Sequence, residues 1–164
     1  MKALLFTIFT LLSLQAFAAG ERVGDWATHE TIIDGARFLQ TEKLSDFSTN
    51  DDLYTLTTEI NQGDFVFKIE ENFPTDLFAT PNYYQVIINL CPRIDGVIEQ
   101  LIVKGAPMKT CKLPLTKVLR DKIIGPRSEE VDGFVWVGDI PIFSIVKIES
   151  SQLQMNIIDY HWAE

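Results

Sequence analysis

The chain is poor in the residues that most catalytic and metal chemistry requires: its 164 residues include two cysteines and two histidines. A structural zinc needs about four ligands, and His29 and His161 lie far in sequence from Cys91 and Cys111, so no metal site is expected. The cysteines are also not spaced as the C-x-x-C of a redox pair. No G-x-S-x-G elbow, H-E-x-x-H helix or phosphate-cradling glycine pattern occurs. The acid doublets Asp51-Asp52, Glu70-Glu71 and Glu129-Glu130 would point to opposite faces of a strand, unlike the facing carboxylates of a glycosidase. They read as solvated turns, and Asp46, Asp51 and Asp52 lack calcium-loop spacing. These absences leave no expected catalytic residue and no expected cofactor.

Basic residues are also scarce, 14 against 23 acidic, for a formal net charge of −9. Such a field repels phosphate backbones and anionic lipid surfaces, which argues against nucleic acid as a partner. No N-x-Ser/Thr sequon is present, so nothing favours a glycosylated product.

The start of the chain carries one positive idea. Met1-Lys2 is followed by an apolar run from Ala3 to Gln15 and by Ala16-Phe17-Ala18, the pattern of a secretory leader cut after Ala18. The run is short of the roughly 20 residues that span a bilayer, and no later segment approaches that length. The expectation is a leader at 1–18 and one domain at 19–164, periplasmic or secreted from a bacterium, with no transmembrane segment in the mature chain.

Within that domain the apolar residues alternate. Tyr54, Leu56, Thr58 and Ile60 interleave with Thr55, Thr57, Glu59 and Asn61, and Phe65 to Glu70 alternates again after Asn61-Gln62-Gly63-Asp64, which predicts a hairpin. A second is predicted from Ile142–Glu149 and Leu153–Tyr160 around Ser150-Ser151. Tyr83–Leu90, Gly96–Val103, Met108–Leu113 and Gly133–Val137 read as further strands, and Trp26 to Glu30 as the first, for a total of about nine or ten. His29 is expected to be half-exposed on that first strand. One short helix is predicted over Thr116–Ile123, stopped by Gly125-Pro126. Residues 34–52 and 71–82 read as loops or weak edge strands. The fold class is mainly β: an antiparallel curved sheet, as a half-barrel, barrel or sandwich, with one short helix.

Two cysteines in an exported domain are expected to form one disulfide. Cys91 to Cys111 would close a loop of about 20 residues, for about 3 kcal/mol. If 83–90, 96–103 and 108–113 were a simple meander, the first and third strands would stand about 10 Å apart. That exceeds the roughly 7 Å Cα limit for a bridge, so either Cys91 leaves its strand through Pro92–Asp95 or the strand order is different.

Large rings remain: Phe65, Phe67, Tyr83, Trp136 and Phe143 are candidates to face an apolar ligand, or they fill a core. Strand alternation does not separate an open interior from a filled one.

Three segments, VGDWATHE (23–30), LIVKGAPMKTCKLP (101–114) and GFVWVGDIPIFSIVKIE (133–149), resemble patterns of small exported β-rich bacterial proteins of unknown function. The second is similar to their V-x-A-G-T-F-x-T-C stretch, the third to W-x-G-D-x-P-F-G-x-x-K. Such proteins look distantly like envelope half-barrels, whose sheet curls around a short helix and carries lipid or lipoprotein acyl chains. The resemblance implies an architecture and an apolar cargo, and it carries over no catalytic residue. The leading expectation is a non-enzymatic exported β domain binding a lipid, another apolar ligand or an envelope protein. A structural or protein-interaction module with a filled core is the second. A hydrolase, with His29 or His161 beside a carboxylate and a nucleophile, is the third.

Overall fold

A computed structural model describes residues 22–74, 83–115 and 132–163. The leader expected at 1–18 and the helix expected at 116–123 lie outside the described residues. Strands β1 (Trp26–Ile33), β2 (Ala36–Ser48), β3 (Leu53–Gln62) and β4 (Phe65–Pro74) are followed by helix α1 (Tyr83–Leu90) and a 3-10 turn (Cys91–Arg93). Strands β5 (Val97–Val103), β6 (Ala106–Pro114), β7 (Gly133–Val137), β8 (Ile145–Ser150) and β9 (Leu153–His161) complete the chain. All nine belong to one antiparallel sheet in the order β4-β3-β2-β1-β9-β8-β7-β6-β5.

That order follows from two meanders joined at the middle. Short turns join β1 to β2, β2 to β3, β3 to β4, β5 to β6 and β8 to β9, because a two-stranded antiparallel unit closes over a few residues. Strands β7 and β8 pair across the loop 138–144, and β6 pairs with β7 although residues 116–131 between them lie outside the described residues. The first and last strands then pair with each other, from Trp26 opposite His161 to Ile33 opposite Leu153. The sheet is open, with β4 and β5 as its edges, and the β4-to-β5 connection has to travel from one edge to the other.

The described part of that connection corrects one sequence expectation: Tyr83–Leu90 is a helix, not a strand. Tyr84, Ile87 and Ile88 pack against a core of Cys111, Leu113, Val135 and Ile148. A second correction concerns residues 34–52, of which Ala36–Ser48 form the 13-residue interior strand β2. Glu71 to Pro74, read as loop or weak edge strand, complete the edge strand β4. The last hairpin begins at Ile145, because Ile142, Phe143 and Ser144 have φ of 59°, 49° and 55° and belong to a loop.

The disulfide between Cys91 and Cys111 is present, with 5.8 Å between Cα atoms. Its reach is explained by the helix: Cys91 sits in the turn that ends α1, above β6, and not on a strand two places away. Both cysteines are fully buried in the core under the helix.

Candidate functional site

Residues directly opposite each other in an antiparallel pair share a face, so the register can be followed across the sheet. Phe67, Ile60, Gln40, His29 and Ile157 form one such row over β4, β3, β2, β1 and β9. Phe38, Thr31, Met155, Ile148, Val135 and Leu113 form another, from β2 to β6. Because Thr31 and His29 are two apart on β1, both rows lie on the same face.

This face is covered unequally. On the β6 to β9 side, α1 lies over it. On β2 and β3, the loop between β7 and β8 inserts Ile142 against Leu44 and Leu56, with Tyr54 and Phe73 beside them. Ile60 lies four residues further along β3 than Leu56, about 13 Å, and there the face opens. On the adjoining edge strand Phe65 is 80% exposed, Phe67 61% and Ile69 37%. Among the described residues an apolar wall therefore runs from the edge strand inward, past half-buried Ile60, to buried polar groups.

Those groups are the buried His29 and Thr31, with the half-buried Gln40 and Glu42 beside them. His29, which the sequence suggested would be half-exposed, is 4% exposed. Its Nε2 lies 2.8 Å from the Ile145 carbonyl oxygen, which only accepts, so Nε2 carries the proton and Nδ1 is left as an acceptor. Among the described residues neither His29 Nδ1 nor the buried Thr31 Oγ1 has a hydrogen-bond partner. Burial lowers the His29 pKa from its ordinary value, and the bond to Ile145 partly offsets this. Next to it Gln40 Nε2 donates to Glu42 Oε1 at 2.9 Å. Burial raises the Glu42 carboxyl above its ordinary range, and the Gln40 bond works against that.

The five candidate rings are not gathered at one place. Phe65 and Phe67 share the open face. Trp136 stands on the opposite one, linked by the register through Lys147, Asn156, Glu30, Leu39 and Asn61 to Val66. It is 4% exposed and packed with Val103, Ile140 and Val146. Its Nε1 donates to Glu99 Oε2 at 2.8 Å, and Lys112 and Lys147 lie over the ring. Trp136 is thus a core ring held in a charged ladder. Phe143 lies in the left-handed loop, partly exposed, and Tyr83 is the first residue of α1. The residues that sequence reasoning passed over are Ile60, Ile69 and Glu42, while His29 was weighed only as the base of a hydrolase. The alternation of β3 and β4 marked the two isoleucines; nothing local marked Glu42.

No helix among the described residues is long and apolar enough to cross a membrane. No protein-family profile matches the chain, and no curated protein matches it.

Proposed function

We propose that the protein is an exported, non-enzymatic β domain that holds a lipid or other apolar molecule against the open part of its sheet face. The observation that carries this reading is the wall of Phe65, Phe67, Ile69 and Ile60, apolar and uncovered among the described residues while the rest of the same face is filled by α1 and Ile142. An apolar ligand laid there removes ring and methyl surface from water, worth about 25 cal/mol per Å². Gln40 and the unpartnered atoms of His29 and Thr31 lie at the inner end of the wall, where a hydroxyl or carbonyl of the same ligand finds a donor and an acceptor. Apolar pockets with a few converging polar groups are the usual form of small-molecule sites.

The test is native mass spectrometry of the protein exported from a bacterial host, followed by titration with a fluorescent long-chain acyl probe. The reading expects a retained lipid mass or saturable probe binding. Phe67→Asp should abolish binding, whereas Phe134→Asp, an exposed ring on the opposite face, should retain it. A clean apo mass together with no saturable binding, or equal loss in both variants, refutes the reading.

A further inference from the structure

Strand β4 is ten residues long, pairs with β3 along its whole length, and among the described residues has no strand on its other side. A long edge strand of this kind presents a row of N–H and C=O groups that can template another strand. We infer that the occupant is β4 of a second copy of this chain, paired antiparallel about a two-fold axis through Ile69.

The charges on the strand select that register. A two-fold pairing that keeps each apolar face continuous must centre on a residue, since a one-residue slip moves every side chain to the wrong face. Centring on Lys68 sets Lys68 against Lys68. Centring on Glu70 or Glu71 sets like carboxylates against each other, and centring on Phe67 sets Asp64 against Glu70. Like charges directly opposite are destabilising. Centring on Val66 leaves only a few residues of overlap. Centring on Ile69 opposes Lys68 to Glu70 of the second copy, twice by symmetry, and Phe65 to Phe73. It uses the strand from Phe65 to Phe73.

Within one chain Lys68 Nζ already lies 2.6 Å from Glu70 Oε1 on the outer face of the hairpin. In the dimer the two such pairs merge into a ladder of four alternating charges. On the other face Ile69 meets Ile69 of the second copy at the axis, Phe67 lies opposite Glu71 and Phe65 opposite Phe73. The apolar walls of the two copies are thereby set side by side, whether or not they hold a ligand. An isologous pairing of this type closes on itself, so it ends at two chains and leaves β4 no free edge.

Sedimentation equilibrium of the exported protein should give a dimer. Lys68→Glu and Glu70→Lys, each alone, should weaken it by about tenfold or more, from two attractive pairs turned repulsive. The double exchange K68E/E70K should restore it, because the opposed signs are again unlike. Both native cysteines are in the disulfide, so Ile69→Cys supplies one free thiol. Across the axis the two Cα atoms would stand about 4.5 to 5.5 Å apart, within disulfide reach, and mild oxidation should give a covalent dimer. Val97→Cys on the other edge strand should not cross-link. A monomer at every concentration, a double exchange that fails to restore the single variants, or cross-linking through Val97 instead of Ile69 would each overturn the inference.

Discussion

His29, in the middle of β1, is tied across β9 to Ile145, the first residue of β8, by a hydrogen bond of 2.8 Å. Burial disfavours the imidazolium, so the folded protein binds a proton at lower pH than the unfolded chain, whose value is near 6.5. Between those two values the unfolded state carries more protons, and stability falls as the pH drops below about 6.5. The slope is at most about 1.4 kcal/mol per pH unit and vanishes below the folded value. Glu42 acts with the opposite sign: its raised carboxyl pKa removes stability as the pH rises above about 4.5. Urea unfolding of wild type and His29→Gln at ~pH 7 and ~pH 5 isolates the histidine. The stability difference between the two proteins should shift toward the variant at the lower pH; a difference that stays constant would count against the buried neutral imidazole.

Ile142 poses a conflict between backbone and side chain. It is a β-branched residue at φ 59°, a conformation that costs a non-glycine residue about 1 to 2 kcal/mol, yet its side chain is buried against Leu44 and Leu56. Truncation to alanine should cost about 2 to 5 kcal/mol. Glycine loses the same packing but relieves the backbone. The usual order should therefore reverse, with Ile142→Gly at least as stable as Ile142→Ala in thermal melts, whereas at an ordinary φ glycine would be about 1 kcal/mol worse.

Removing the disulfide by Cys91→Ala and Cys111→Ala should destabilise by about 3 kcal/mol on the chain-entropy view, with a further loss from the buried sulfur contacts. Gly96 shares this dependence. A Cβ on it would lie 2.6 Å from Cys91 Sγ and 2.8 Å from Cys111 Sγ, so Gly96→Ala should destabilise the oxidised protein. Reductant should lower the melting temperature of wild type by more than that of Gly96→Ala; an equal drop in both would mean that the sulfur pair and residue 96 do not compete for space.

The hairpin β3-β4 was legible because from Tyr54 to Glu70 its inward positions are mostly apolar or threonine and its outward ones, Val66 apart, are polar, a period of two. Strand β2 was not, because Gln40 and Glu42 occupy its inward positions beside His29 and Thr58. A half-buried polar row erases the alternation that marks a strand. The helix was misread for a different reason. Tyr83–Leu90 is a short apolar run rich in Ile, Val and Tyr, in which period cannot be counted and strand propensity dominates. The spacing of Tyr84, Ile87, Ile88 and Cys91, at i, i+3, i+4 and i+7, was the available helical signal, and these four residues lie in the core beneath α1. The site was half legible: its rings on β4 follow from alternation. The polar end was not, because His29, Gln40 and Glu42 are brought together by strand register over separations that no local pattern encodes.

Asp25 joins the two ends of the described chain. Its Oδ1 accepts from the Ala163 N–H and its Oδ2 from the Arg22 N–H, both at 2.6 Å, while its backbone carbonyl accepts from Leu44 N–H at 3.0 Å. The residue is 1% exposed, so removing the carboxylate leaves two backbone donors without their acceptor beside the β1-β9 seam. A hydrogen bond to a charged group contributes about 1.5 to 3 kcal/mol, and Asp25→Ala should cost about 2 to 4 kcal/mol in urea unfolding. Asp25→Asn keeps one acceptor oxygen and should fall between alanine and wild type. Amide hydrogen exchange localises the effect: protection at Ala163 and Arg22 should drop in Asp25→Ala while the β3-β4 hairpin keeps its relative protection. If the variant lost stability with no selective change at those two amides, the carboxylate would be stabilising the fold by some route other than this clasp.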